Sequence, residues 1–210
     1  GAMGDNVVKQ GYVPYIMTRN ILTAYVPGGV NIPKSRQMPG ANFSDPKNAL
    51  DMGQNPVYWM EVEGCPKRKN EFIMGAINSL NNIKLAVWRG TTWGDTKTLS
   101  MNAINLKCFD IAYENQSGDA LVVGRDSGGV NASAVYNIWN GWSWAFANSQ
   151  NAFSVPGNQI NQLAMASSPG SDEILIAAHT TLDELYLFQW NGSAFNSLGL
   201  IESVTAVNNT

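Results

Sequence analysis

Apolar and polar residues alternate along three similar stretches of the chain, residues 83–88, 134–139 and 185–190. Each stretch ends in a tryptophan, which is followed by a glycine two positions later and by a second aromatic residue three positions after the glycine. The three copies of this phrase are Trp88, Gly90 and Trp93; Trp139, Gly141 and Trp144; and Trp190, Gly192 and Phe195. Alternation predicts a half-buried β-strand, and a glycine-containing turn before a new aromatic residue predicts a hairpin.

The three phrases belong to three longer repeats, because their first tryptophans are separated by 51 residues in both intervals. Each repeat carries four predicted strands. They are 57–62, 71–77, 83–88 and 92–98 in the first repeat; 109–114, 120–124, 134–139 and 143–147 in the second; and 162–166, 173–178, 185–190 and 193–196 in the third. Four short strands at a period near fifty residues are typical of propeller blades. The predicted fold is all-β, with four-stranded antiparallel blades at 56–106, 107–157 and 158–210, and the repeated aromatic residues pack between them.

Residues 4–55 lack the repeated phrase. Two strands are predicted there, at 12–18 and 21–26, and residues 27–56 are predicted to form a long loop that is rich in glycine, proline and asparagine. Long loops in compact domains are usually functional or act as linkers. The first three residues, Gly-Ala-Met, resemble a scar left by removal of an expression tag and are excluded from the fold.

Three blades do not close a ring, because propellers typically have four to eight. Three solutions follow from this. Residues 6–32 form a degenerate fourth blade, two chains pair into one ring, or the array stays open and other segments cover its ends. We expect an N-terminal segment that caps the array, with closure by dimerisation as the next choice.

Charge is scarce in this sequence and is unevenly distributed. Charged residues make up 14% of the chain, below the usual quarter, and the net charge is −3. This composition is typical of secreted or surface β-proteins and gives no indication of nucleic-acid binding. The last basic residue is Arg125, so the C-terminal part is acidic. This asymmetry reflects either solvated faces or head-to-tail contact between copies. No apolar run reaches the roughly 18 residues of a membrane span, so membrane association is expected only through a segment that this sequence lacks.

Catalytic and metal-binding constellations are poorly supported. Residues 125–129 read Arg-Asp-Ser-Gly-Gly and resemble the nucleophile loop of trypsin-like proteases. The one histidine, His179, follows the serine, however, and we predict that the segment is a hairpin turn instead. Cys65, Cys108 and His179 lack the spacing of a metal site, and we predict two free thiols because the predicted register separates the cysteines. No enzyme activity, metal or cofactor is predicted.

The repeated phrase resembles that of uncharacterised bacterial and archaeal surface proteins, some of which are associated with filaments or adhesion. It also resembles the blades of six-bladed fucose-binding lectins, in which sugars bind between blades on aromatic, Arg and Glu side chains. Where those lectins carry the Glu, this chain has Leu85, Tyr136 and Leu187, and its predicted second strands lack the Arg.

Two functions remain open at this stage. The first is a non-catalytic extracellular or cell-surface module for adhesion or assembly, associated with a filament or pilus, which binds other copies or a surface protein through residues 27–56 and the aromatic turns. The second is a carbohydrate-binding lectin that stacks a glycan on Trp93, Trp144 and Trp59.

Overall fold

The computed structural model of the chain describes residues 11–14, 21–27, 31–38, 42–53, 55–126, 132–156 and 159–203. Within these ranges the chain forms four antiparallel sheets, each of four strands in sequence order. Sheet 1 contains β1 (Gly11–Pro14), β2 (Ile21–Tyr25), β3 (Lys34–Met38) and β4 (Lys47–Asn48). Sheet 2 contains β5 (Val57–Gly64), β6 (Glu71–Asn78), β7 (Ile83–Arg89) and β8 (Trp93–Ser100). Sheet 3 contains β9 (Phe109–Tyr113), β10 (Ala120–Asp126), β11 (Ala132–Trp139) and β12 (Gln150–Val155). Sheet 4 contains β13 (Ile160–Ser167), β14 (Ile174–Thr180), β15 (Glu184–Trp190) and β16 (Phe195–Ser203).

The all-β class and the three four-stranded repeats are confirmed, and the N-terminal part adds a fourth sheet of the same kind. The hairpins keep one register: the first tryptophan of each phrase pairs with a residue near the start of the second strand, namely Phe72, Ala120 or Ile174. This shared register makes residues at the same offset from these partners equivalent in the three sheets.

The loop prediction for residues 27–56 is wrong in part, because β3 and β4 lie within it. These strands are polar and show no alternation in the sequence. Pairing with β2 holds β3, and Ser35 faces sheet 2, where its hydroxyl accepts a hydrogen bond from Trp93 Nε1 at 2.8 Å.

The fourth strand of the second repeat is also misplaced in the sequence prediction, since it runs from Gln150 rather than over 143–147. The side chain of Asn137 explains the difference. It accepts the N–H of Phe146 at 3.3 Å and donates to the carbonyl oxygen of Phe146 at 3.0 Å, and it thereby takes the place of a backbone partner. The strand begins only after this local structure ends.

The core consists of three apolar layers, one at each junction between successive sheets. The junction of sheets 2 and 3 shows how closely they approach. A Cβ added at Gly75 on β6 would lie 2.3 Å from the ring of Phe109 on β9. Face-to-face stacking, which no single sheet can achieve alone, therefore provides the buried apolar surface.

Cys65 and Cys108 are buried free thiols, as predicted, and burial raises the pKa of both. Cys65 Sγ lies 3.5 Å from the carbonyl oxygen of Gly118, whereas Cys108 Sγ lies 3.6 Å from that of Ile104. In the ranges given above, no helix is long and apolar enough to cross a membrane.

Candidate functional site

The repeated aromatic pair has the same geometry in all three copies. Ring centroids are 5.6 Å apart for Trp88 and Trp93, 5.5 Å for Trp139 and Trp144, and 4.9 Å for Trp190 and Phe195. The first ring of each pair is at most 2% exposed. The turn glycines have positive φ angles, which residues with a Cβ rarely adopt: +85° at Gly90, +91° at Gly141 and +89° at Gly192.

The second tryptophan of a pair reaches back to the preceding sheet. Trp93 Nε1 donates to Ser35 of sheet 1, and Trp144 Nε1 donates to the carbonyl oxygen of Asp95 in sheet 2 at 2.6 Å. Both rings are half-buried at these junctions. Trp59 lies on β5, also half-buried, and its Nε1 donates to Glu61 Oε1 at 2.6 Å. The three residues predicted as stacking platforms therefore lie at three different places in the fold, Trp59 on β5, Trp93 on β8 and Trp144 in the turn after β11.

A cation from the preceding sheet lies over the first tryptophan in two of the three copies. Lys47 Nζ is 5.2 Å from the centroid of Trp88, and it donates to the carbonyl oxygen of Thr91 at 2.8 Å. Arg89 Cζ is 4.9 Å from the centroid of Trp139, and Arg89 Nη2 donates to the carbonyl oxygen of Trp142 at 2.9 Å. Such cation–π contacts contribute about 0.5–1 kcal/mol at exposed sites.

Trp142 is the most exposed aromatic residue of these turns, with 81% of its surface accessible. Its backbone is fixed because Asn140 Oδ1 accepts the N–H groups of Trp142 and Ser143 at 3.0 and 2.9 Å. Close packing holds the turn as well, since a Cβ added at Gly141 would lie 2.8 Å from Arg68 Cζ. A large ring is thus presented to solvent on a rigid turn.

An ion pair on the neighbouring sheet contacts the backbone of this turn, through the hydrogen bond from Arg89 to the carbonyl oxygen of Trp142. Arg89 Nε lies 2.8 Å from Asp95 Oδ2, and the two side chains are 40% and 38% exposed. Asp95 has a φ of +46°, an unfavourable angle for a non-glycine residue, and such strain often marks functional positions. We define the Trp142 site as Arg89, Asp95, Trp142 and Trp144.

The Trp142 site combines an exposed aromatic face, guanidinium donors and a carboxylate acceptor. These groups suit a ligand that has an apolar face and several hydroxyls. Trp142 could not be found from the repeated aromatic positions, because it is not one of them. The equivalent residues of the other two repeats are Thr91 and Ser193. The available signal was a tryptophan within a turn, where polar residues are the rule.

Two of the three positions at which the fucose-binding lectins carry a Glu, Leu85 and Tyr136, are filled by packing in this chain. Leu85 is fully buried between sheets 2 and 3. The ring of Tyr136 lies 5.8 Å from that of Trp190 and 5.0 Å from that of Phe195, across the junction of sheets 3 and 4. At these two junctions the side chains occupy the space between the sheets.

β10 extends to Asp126, beyond the predicted second strand at 120–124, and it includes Arg125. The residue is 4% exposed, and burial lowers its pKa. Arg125 Nη1 donates to the carbonyl oxygen of Ile160 at 2.8 Å, and Nη2 donates to Gln159 Oε1 at 2.5 Å. Its guanidinium therefore ties sheet 3 to sheet 4.

The first strands of sheets 2, 3 and 4, which are β5, β9 and β13, carry a second polar group of residues. A cavity of about 230 Å³ is lined by residues of β5, β9 and β13 and the segments next to them, including Glu63, Tyr113 and Ser167. Burial, followed by repulsion from Asp110 and Glu61, raises the pKa of Glu63 to about 7. The described residues contain no group of three side chains that would hold a metal ion.

The remaining candidates for chemistry are separate. His179 Nε2 lies 3.4 Å from Asp183 Oδ1 on the neighbouring turn of sheet 4. Of the Arg-Asp-Ser-Gly-Gly segment, Ser127 to Gly129 lie outside the described residues, and so does any turn that they form.

No known protein family matches the sequence, and no curated protein is similar to it. Solved structures are similar in fold. The BP39L lectin from Burkholderia pseudomallei superimposes with a TM-score of 0.67 at 12% identity, over 90% of this chain and 53% of that one. AofleA from Arthrobotrys oligospora gives 0.59 at 12% identity, over 91% and 56%. A mutant of Aleuria aurantia lectin in complex with Fucalpha1-6GlcNAc gives 0.53 at 14% identity, over 94% and 64%.

These similarities show a β-propeller-like fold. The Aleuria aurantia lectin is a six-bladed β-propeller, and this chain spans between about half and two thirds of the length of these proteins. Four successive sheets make up a similar share of a six-bladed propeller.

Proposed function

We propose that this chain is a non-catalytic carbohydrate-binding module whose glycan site is the Trp142 site. The observation that carries the proposal is an 81% exposed tryptophan next to a solvent-accessible arginine–aspartate pair, at the junction of two sheets. The similarity in fold to propeller lectins supports the same class of function.

The chemistry of the site matches a sugar ring. The C–H groups on one face of a pyranose pack on an indole, and its hydroxyls donate to carboxylates and accept from guanidinium groups. The Arg89 guanidinium contacts the carboxylate of Asp95 and donates to the carbonyl oxygen of Trp142, so it is held in place before a ligand binds. Less ordering is then needed on binding, which favours affinity.

The proposed site differs from the inter-blade pockets of the fucose-binding lectins. Leu85 and Tyr136 fill the corresponding space in this chain, and Arg125 is engaged with sheet 4. A shallow platform binds the terminal unit of a glycan from one side. We therefore expect weak binding of a free monosaccharide, with a Kd of about 1 mM, and tighter binding to multivalent glycan surfaces.

A glycan array followed by calorimetry on the best glycan tests the proposal. We expect Trp142→Ala to weaken binding at least tenfold, and Trp142→Phe to retain part of the affinity because it keeps an aromatic face. Leu182→Ala, at a 62% exposed leucine of another turn, is the matched control and should bind like the wild-type protein. Absence of any glycan ligand, or full binding by Trp142→Ala, would contradict the proposal.

Glycan binding by a non-catalytic module would serve adhesion, and we infer an extracellular or cell-surface location from the charge-poor composition. Labelling of intact native cells with an antibody against the chain would test the location. Mass spectrometry of the bound glycan after long incubation should find it unchanged, and any cleavage would indicate an enzyme instead. Association with a filament or pilus stays a prediction.

A further inference from the structure

The outward face of sheet 4 is apolar at positions that sheets 2 and 3 bury. Ile73 on β6, Leu121 on β10 and Leu175 on β14 each follow directly after the partner of the first tryptophan, so they are equivalent. Ile73 is 0% exposed and Leu121 is 1% exposed, because the following sheet covers them. Leu175 is 44% exposed.

The same face carries further small and apolar side chains. Strand alternation places Leu175 and Ala177 on one side of β14, and the register places Leu187, Ala164 and Ala166 beside them. Leu198, which is 50% exposed, lines a cavity of about 420 Å³ there together with Leu175. We call these six residues the open face.

Sheet 1 presents a contrasting surface at the other end of the array. Leu22, Ala24 and Ser35 face sheet 2, so alternation places Thr23, Tyr25, Lys34 and Arg36 on the outward side. Arg36 Nε donates to the hydroxyl of Tyr25 at 3.3 Å, which holds the guanidinium across the sheet. We call these four residues the basic face.

The basic face carries Lys34 and Arg36, whereas sheet 4, which presents the open face, carries acidic residues and no lysine or arginine. No lysine or arginine follows Arg125 in the sequence, and sheet 4 with its turns carries Asp172, Glu173, Asp183, Glu184 and Glu202. Apolar contact from the open face and attraction between opposite charges at its border would act together.

We propose that the open face of one copy binds the basic face of a second copy, in a head-to-tail contact that continues the stacking of the four sheets. Such an interface is heterologous, because different surfaces of the two copies meet. Repetition of the contact gives either a closed ring or an open array of chains. The proposal does not depend on glycan binding.

Light scattering after size-exclusion chromatography tests the contact, with the protein loaded at concentrations from about 1 to about 500 μM, a range that spans weak protein association. We expect the mass to rise above the 22.8 kDa of the monomer and to fall again in high salt, because salt screens the charged part. A mass that stays at the monomer value over this range would overturn the proposal.

Single substitutions locate the two surfaces. Leu175→Glu and Arg36→Glu should each lower association at least tenfold. Leu80→Glu, at a 59% exposed leucine of sheet 2, and Lys69→Glu, at an exposed lysine of the β5–β6 loop, are the matched controls and should associate normally. Thermal unfolding of each variant verifies that the protein is folded.

A mixture of the two variants distinguishes a head-to-tail contact from a symmetric one. Leu175→Glu keeps an intact basic face, and Arg36→Glu keeps an intact open face, so an equal mixture should form a 1:1 pair that grows no further. If two open faces instead met each other, Arg36→Glu would associate like the wild-type protein and the mixture would form no such pair. That result would overturn the head-to-tail contact.

Discussion

Trp190 and Glu114 are joined by a hydrogen bond of 2.6 Å from the indole Nε1 to the carboxylate Oε1, across the junction of sheets 3 and 4. Trp190 is 2% exposed and Glu114 is 5% exposed. The equivalent indole N–H groups of Trp88 and Trp139 are buried and have no hydrogen-bond partner among the described residues. Cations lie over these two rings instead, so the three junctions share ring packing but differ in their polar contacts.

Glu114→Ala should destabilise the protein by about 1–3 kcal/mol, because it leaves the buried N–H of Trp190 without an acceptor. Urea unfolding followed by tryptophan fluorescence measures the change. Glu173→Ala, at an exposed carboxylate directly before β14, should stay within about 0.5 kcal/mol of the wild-type protein. Equal effects of the two variants would show that the buried bond contributes nothing specific.

Gly75→Ala should destabilise the protein by at least about 1–3 kcal/mol, because the added methyl would overlap the buried ring of Phe109 on the next sheet. Gly94→Ala, on β8 of the same sheet, is the matched control, since nothing lies within 4 Å of its added Cβ. Thermal unfolding of both variants gives the comparison. A Tm of Gly75→Ala that equals that of Gly94→Ala would contradict the close stacking of sheets 2 and 3.

The free energy of unfolding should fall as the pH rises from about 4.5 to 7. These limits are the ordinary pKa of a glutamate and the pKa of Glu63 in the folded protein. The folded state holds the Glu63 proton more tightly than the unfolded state does, so removal of that proton at higher pH costs stability. Lys107, which contacts Glu61 and Asp110 at 3.5 and 3.2 Å, only partly offsets this cost.

Glu63→Gln should flatten this pH dependence, because the amide stays neutral throughout. The measurement is the free energy of unfolding in urea at pH 5, 6, 7 and 8. Glu202→Gln, at an exposed carboxyl of β16, should leave the pH dependence as it is in the wild-type protein. The same slope in Glu63→Gln as in the wild-type protein would exclude Glu63 as its source.

Repeated local patterns made most of the fold predictable from the sequence. The hairpins at Trp88, Trp139 and Trp190 each combine alternation, a glycine with positive φ and a second ring, and these signals are local. β3 was not predictable, because its polar residues depend on β2 and on Trp93 for their place. The fourth strand of sheet 3 was misplaced because the side chain of Asn137 competes with strand pairing, which alternation does not reveal.

The candidate site was less predictable than the fold. Trp93 and Trp144 were correctly recognised as repeated residues, but their indole N–H groups bind the preceding sheet and their rings are half-buried. The site depends on Trp142, which has no aromatic counterpart in the other repeats, and on Arg89 and Asp95 of a different sheet. Only the stacking of sheets 2 and 3 brings these three residues together.

Asp95→Asn separates a role in binding from a role in stability. The Arg89–Asp95 pair is about 40% exposed on both sides, and ion pairs of that kind contribute about 0–1 kcal/mol. The free energy of unfolding should therefore change by no more than about 1 kcal/mol. Glycan affinity should fall at least fivefold, because Arg89 loses the carboxylate that orients it and the site loses its anionic acceptor.

Lys97→Met is the control. Lys97 lies on the same strand, donates to the carbonyl oxygen of Phe146 and is outside the proposed site, so this variant should bind glycan normally. Calorimetry and urea unfolding on the same preparations give both quantities, and a variant that binds as the wild-type protein does would exclude the ion pair from the site.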